Sequence, residues 1–344
     1  MIDLVSDTAT KPTAGMREAI AQADVGDEQR HEDPTVRLLC ERVADMLGAE
    51  AALLLPSGIM SNLVSVVVHC RPGDEIVTAA NAHVVGSEGA GAAAIGGIQM
   101  ALIDAPDGRF DAQTLRANVR VNRARAPRPS LIWVENTSNA GGGTCWKLSS
   151  LAAISDVAKV HDCRMHLDGA RLLNAAIATN TPPAEICRFF DSAWIDLSKG
   201  LGCPIGSVLA GSRAFIDEAW VWKHRLGGAM RQAGIIAAAG LYALDHHVDR
   251  LAEDHANAQR LANQLQDNSG VKVVGDAVET NIVFVDVSGT AHSAAEIASA
   301  LETHGVRMGV SGSSKLRAVT HLGVSASDID AAAQAFRRAA ASPG

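Results

Sequence analysis

Between residues 34 and 48 the apolar positions recur at helical spacing. Val36, Leu39, Val43 and Leu47 fall near one face, and Pro34 suits a first turn. Beyond them, short apolar runs alternate with helical stretches. The runs predict strands at 51–55, 75–78, 99–103, 131–134 and 164–167, with helices at 58–70, 86–96, 111–119 and 148–161. That alternation predicts an α/β fold, a mostly parallel sheet with helices on both faces. Two further runs, 192–197 and 207–210, are too close for a helical crossover and are expected to form a hairpin at the edge of the sheet.

A long helical region follows at about 230–266. The pattern then changes: strands are expected at 271–274, 282–287, 306–309 and 316–320, around a helix at 293–304, and a last helix at about 326–340. This describes a small α+β unit. The chain therefore divides into an N-terminal arm (1–30), a large α/β domain (31–245) and a small C-terminal α+β domain (246–344).

Composition narrows the function classes. With 47% hydrophobic and 20% charged residues in 344, there is material for a sizeable core, built mainly from aliphatic side chains because aromatics make up 3%. A formal charge of −8 argues against a general nucleic-acid binder. No basic stretch followed by an apolar run opens the chain, and no uncharged run approaches the roughly 18–20 residues that span a bilayer. The six cysteines lack C-x-x-C spacing, so a reduced, cytoplasmic protein is expected. Cys203 reads as buried filler.

Four constellations could carry chemistry. Pro56-Ser57-Gly58-Ile59 follows a strand and opens a helix, where free N–H groups and the dipole favour a phosphate; a plain turn capped by Ser57 accounts for the same residues. Asp168, with Arg171 close behind, ends a buried strand, at the sheet edge that faces ligands in open α/β folds. The carboxylate could pair with a protonated ring nitrogen and the guanidinium with a phenolate or carboxylate, or the two could form a structural pair. Lys199, after an apolar strand and between Ser198 and Gly200, is oddly placed for a solvated charge; burial would favour the neutral amine that attacks carbonyls. His83 could stack on a flat ligand and move protons, or simply be structural. No metal is assigned: His161, Cys163 and His166 lack zinc spacing, and His246-His247 lie outside any H-E-x-x-H pattern.

The order of these signals resembles fold-type-I pyridoxal-phosphate enzymes, and closely the L-threonine aldolase (β-eliminating lyase) family. Residues 4–13 with Ser6-Asp7-Thr8, Glu32-Asp33-Pro34, the 57–62 turn, Arg71-Pro72-Gly73-Asp74, Glu135-Asn136-Thr137, His166 to Arg171, 197–202, 225–234 and 317–322 carry the resemblance, which covers nearly the whole chain. It implies pyridoxal 5'-phosphate held as a Schiff base on Lys199, with Asp168 on the pyridine nitrogen. His83 would stack on the ring and Arg171 sit near its phenolic oxygen. Ser57, Gly58 and Ile59 would hold the phosphate, together with Arg231 supplied by a neighbouring subunit. Ser6, Arg171 and Arg317 would grip the substrate carboxylate.

The implied reaction is retro-aldol cleavage of L-threonine, L-allo-threonine or a related β-hydroxy-α-amino acid to glycine and an aldehyde, with His83, directly or through water, as the base. The implied assembly is a dimer paired into a tetramer. Racemisation or β-elimination on the same scaffold, or a non-enzymatic protein that kept the fold, are the competing readings. Where the family usually has Thr, Gly, Tyr-Gly, a bulkier residue and a histidine, this chain has Ile59, Ser61, Arg30-His31, Ser87 and, before Leu131, Arg125 and Arg128. These departures are expected to cluster around a substrate's β-substituent; arginine in the pocket would favour an acidic substrate such as hydroxyaspartate.

Overall fold

The computed structural model of the chain describes residues 1–121 and 123–341, so residues 342–344 of the expected small domain lie outside it. The first strands are β1 (Ile2–Asp3), β2 (Ala51–Leu55), β3 (Asp74–Ala79), β4 (Gln99–Ile103), β5 (Arg128–Glu135), β6 (Arg164–Asp168), β7 (Ser192–Asp196) and β8 (Ser207–Gly211). Then come β9 (Lys272–Val273), β10 (Ile282–Asp286), β11 (Val306–Arg307), β12 (Gly309–Val310) and β13 (Lys315–Val319).

Strands β2 to β8 form one seven-stranded sheet in the order β2-β8-β7-β6-β5-β3-β4. Neighbours from β7 to β4 pair in parallel, whereas β8 runs antiparallel to both β7 and β2. The expected hairpin is present, but it is not at the edge. All five residues of β8 are buried, and β2 pairs with it from Ala51↔Gly211 to Leu55↔Ser207. A strand buried on both faces needs a partner on each side for its peptide groups; β2, some 150 residues earlier, supplies the second one. Every strand of this sheet except β8 points the same way, so the segments leaving β2, β3, β5, β6 and β7 emerge at one edge.

Local chemistry sets the helices that frame that edge. Pro34–Leu47 begins at Asp33, whose carboxylate accepts the N–H groups of Thr35 and Val36, and closes at Gly48 in the left-handed region (φ 68°). Gly58–His69 begins at Ser57, whose hydroxyl accepts the Met60 N–H. The helix expected over 86–96 is two short turns, His83–Gly86 and Gly91–Ala94. Between them Gly89 and Ala90 both have positive φ, 59° and 57°, which no α-helix tolerates. The region at 230–266 is likewise two helices, Gly234–His246 and Leu251–Gln266. At the break, the buried His247 hydrogen-bonds through Nδ1 to the Leu201 carbonyl.

Four helices escape the pattern reading: Ala14–Ala21, Leu172–Thr179, Pro183–Cys187 and Arg213–Arg225. Leu172–Thr179 is mostly buried in its first five residues and so shows no amphipathic period. Arg213–Arg225 does bury Phe215, Ile216, Ala219 and Lys223 at helical spacing, behind the Ser212 cap.

The C-terminal strands form an antiparallel sheet, β12-β13-β10-β9. The chain's first residues join it indirectly. Strand β1 pairs in parallel with β11, the Leu4 N–H donates to the Arg307 carbonyl, and the Leu4 carbonyl accepts the Val319 N–H. Leu4 is fully buried with Val285, Ile297, Leu316 and Phe336. That anchoring brings Ser6 and Asp7 against the edge of the large sheet.

Candidate active site

A cavity of about 320 Å³ opens at this edge. Its walls include Ser6, Ser57, Gly58, Ile59, His83, Asp168, Arg171, Lys199 and Arg317. Residues more than 300 positions apart thus meet at one cavity. Arg231 does not reach the cavity; its exposed guanidinium pairs with Asp27 at 2.9 Å. Three larger grooves, about 690, 700 and 610 Å³, contain neither Lys199 nor Asp168, and none gathers the same convergence of lysine, carboxylates and histidine.

One wall is a buried acidic layer. Asp168 accepts the Asn62 side-chain amide at 2.8 Å and the Ala170 N–H at 3.2 Å. Burial, then the charges of Glu135 and Glu88, push its carboxyl up to about 7. Burial raises Glu135 as well, against the N–H groups of His83 and Asn139 that it accepts, each at 2.7 Å. His83 contacts Glu88 through Nδ1 at 2.7 Å, and that hydrogen bond, outweighing partial burial, raises its ring. His83 answers Glu88, but among the described residues Asp168 has no ion-pair partner of its own, so a protonated ring nitrogen there would relieve it.

Lys199 lies in the turn after β7, where its ammonium pairs with Asp196; its side chain is one-fifth exposed. The sequence suggests burial around this amine; the structure places it partly exposed beside the Asp196 carboxylate. Asp196 is further fixed by the Ser198 N–H and hydroxyl, both at 2.8 Å. The lysine backbone is tied to the N-terminal segment by Thr10, whose hydroxyl donates to the Lys199 carbonyl at 3.0 Å.

Opposite lies a pair of arginines. Arg171 spends Nε and Nη2 on Asp7 in a two-pronged ion pair, both contacts 2.7 Å and both side chains almost fully buried. Burial raises the Asp7 carboxyl, but the charge and hydrogen bonds of Arg171 outweigh it and hold the group well below the usual range. Only Nη1 of Arg171 remains, and it meets Asn139 Oδ1 at 3.1 Å. Arg317 reaches the same oxygen at 2.7 Å. Burial, then the nearby charge of Arg171, pushes Arg317 down to about 10. Two cations converging on one neutral oxygen suit an incoming carboxylate.

At the start of Gly58–His69 the N–H groups of Gly58 and Ile59 have no acceptor within the helix. A Cβ at position 58 would run into the Trp194 ring. Gly58→Ala should therefore cost about 1–3 kcal/mol of stability, read from the urea midpoint. Taken together, the free N–H groups at one end, the acidic layer at the other and the lysine between them suit a flat, phosphorylated heteroaromatic ring.

Several functional candidates escaped the sequence reading: Asp7, Asn62, Glu88, Asn139, Trp194 and Asp196. Asp7 stood within the quoted motif, but nothing local said that it would face Arg171. The family departures do not cluster as expected. Ile59 lines the cavity, whereas Ser61 bonds Ser207 inside the sheet at 2.8 Å. Arg30 pairs with Asp27 and His31 packs at a tilt against the Trp220 ring. Arg128 pairs with Asp74 at the start of β5, away from the site edge, and neither Arg125 nor Ser87 borders the cavity. Within this chain no arginine from that set favours an acidic substrate. Cys203 is buried, and burial raises its thiol, as filler should be.

The fold and the site together define an enzyme of the fold-type-I class. Its backbone matches that of a threonine aldolase from Leishmania major with a TM-score of 0.85 over 99% of this chain and all of that one, at 20% identity. The profile of the beta-eliminating lyase family matches residues 3–288, and the chain belongs to that family. It is 40% identical over 343 residues to low-specificity L-threonine aldolase 1 of Arabidopsis thaliana, covering 98% of this chain and 96% of that protein. It is also 40% identical to low specificity L-threonine aldolase of Escherichia coli K12 over 326 residues, 94% and 95% of the two chains.

Proposed function

We propose that this lyase is a pyridoxal-phosphate-dependent aldolase that cleaves L-threonine, L-allo-threonine or a related β-hydroxy-α-amino acid to glycine and an aldehyde. The observation that carries it is the convergence of Lys199, Asp168 and the two arginines on one cavity, in a chain 40% identical to proteins named for that reaction. Lys199 would hold the cofactor covalently through its amine, Asp168 would hold the proton on its ring nitrogen, and the Gly58 and Ile59 N–H groups would hold its phosphate. When bound, pyridoxal phosphate supplies an electron sink for the pair released from the Cα–Cβ bond.

The other steps fall to the chain itself. Arg171 and Arg317 bind the substrate carboxylate, which fixes the amino acid's rotation and therefore which Cα bond lies across the ring. Ser6, at the same wall, completes that grip. His83 takes the proton of the β-hydroxyl, directly or through water. The exposed Arg231, and the apolar Ile59, Ile205 and Ile235 that are 39–47% exposed, support a dimer that shares the site and pairs into a tetramer; light scattering of the purified protein tests this.

The reaction is tested by incubating cofactor-loaded protein with L-threonine and L-allo-threonine. Glycine and acetaldehyde should appear in equal amounts. D-alanine from L-alanine, or pyruvate from L-serine, with no acetaldehyde from either threonine would overturn the proposal.

A further inference from the structure

The orientation of His83 is set by a chain of hydrogen bonds that begins in the core. Trp194 Nε1 can only donate, and it lies 2.6 Å from Asn62 Oδ1, which fixes the end of that amide carrying oxygen. The amide nitrogen therefore faces Glu88 Oε1 at 2.6 Å and Asp168 Oδ2 at 2.8 Å, giving one hydrogen to each. Glu88 Oε1 is thus an acceptor, and the same oxygen sits 2.7 Å from His83 Nδ1. The Glu88 side chain is 5% exposed and that of His83 37%. Chain geometry makes the contact possible: the left-handed residues Gly89 and Ala90 end the short helix region and let Glu88 fold back on a residue five positions earlier. The His83 backbone is held independently, its N–H donating to Glu135 Oε2 at 2.7 Å.

We propose that Glu88, itself held by Asn62, is a positioning residue that fixes His83 as the Nδ1–H tautomer and leaves Nε2 as the nitrogen that exchanges protons with substrate. An oxygen already accepting from Asn62 requires a donor at Nδ1, and a neutral imidazole has only one. The groups bearing on the ring's charge are Glu88, Asp168 and Glu135, all of which favour the protonated form; Lys199 and Arg171 line the same cavity. Glu88 also ties the two ends of the chemistry together, since one asparagine amide serves both its carboxyl and that of Asp168. The substrate half of this inference rests on the aldolase reading; the tautomer half does not.

The test is 15N NMR of the histidine rings in the full chain, with His83 identified by the signal lost in His83→Asn. Wild type should show protonated Nδ1 and bare Nε2 above the ring's pKa. Glu88→Gln keeps an acceptor oxygen, so the tautomer should persist while the ring pKa falls by about one unit, a ten-fold lower protonated fraction at a given pH. Glu88→Ala should lose the tautomer preference as well. In cofactor-loaded protein the acid limb of kcat/KM should move down by the same unit in Glu88→Gln, and the plateau should drop about ten-fold in Glu88→Ala. A wild-type ring carrying its proton on Nε2, or a ring pKa unmoved in both variants, overturns the proposal. The expected tautomer without acetaldehyde from L-threonine would sink the aldolase reading and uphold the role of Glu88.

Discussion

Lys199→Arg should lower kcat for L-threonine cleavage by on the order of 10⁴-fold or more while leaving the fold intact. Arginine keeps a cation beside Asp196, so the ion pair that orders the turn after β7 survives. What is lost is an amine that can shed its proton and condense with an aldehyde, since a guanidinium stays protonated at any working pH. Borohydride reduction of the loaded wild type, followed by peptide mapping, should place the label on the peptide containing Lys199, and the variant should take up none. An unchanged urea midpoint in the variant would show that the loss is chemical. Activity within ten-fold of wild type would remove Lys199 from the reaction.

The second large effect lies behind the site. Asp7→Asn keeps the shape of the side chain but removes the charge that balances Arg171, a guanidinium 4% exposed. Breaking a buried pair on one side typically costs about 3–5 kcal/mol, and urea unfolding at pH 7 should show a loss of that size. Asp7 is held below its unfolded pKa, so its contribution is complete above about pH 4 and is lost as the medium is acidified below that. The gap between wild type and variant should therefore be widest near neutrality and narrow in acid. A variant equally stable at pH 7 would show that the pair contributes nothing. The same substitution leaves Arg171 free to turn, so it should raise KM for the amino acid more than it lowers kcat.

Much of the fold can be read from local pattern because its causes are local. The runs of β2 and β4 are found at their predicted bounds: β2 is almost wholly buried and so apolar throughout, while β4, at the far end of the sheet, keeps a mostly apolar run although only Ile103 is buried. Asp33, Pro34 and Gly48 mark a helix by chemistry confined to its own ends. Errors arose where distant chain decides. Nothing between 192 and 211 reveals that β8 will be covered by β2, and nothing in 86–96 says that Gly89 and Ala90 will both turn left-handed so that Glu88 can reach His83. Leu172–Thr179 failed differently, because a helix buried nearly all round has no polar face to mark its period.

The candidate site divides along the same line. Lys199, Asp168, His83 and the Ser57–Ile59 turn stand out in sequence because each follows an apolar strand, and parallel strands deliver their exits to a common edge. Their partners do not stand out. Asp7 for Arg171, Asn139 for both arginines, Asn62 for Asp168 and Asp196 for Lys199 are ordinary polar residues until packing strips away the water that would otherwise satisfy them. The sequence by itself determined which candidate groups follow which strands and the order in which the chain presents them. Tertiary structure alone decided how those groups are charged, paired and aimed, because burial and hydrogen bonding depend on neighbours that the chain brings together only when it folds.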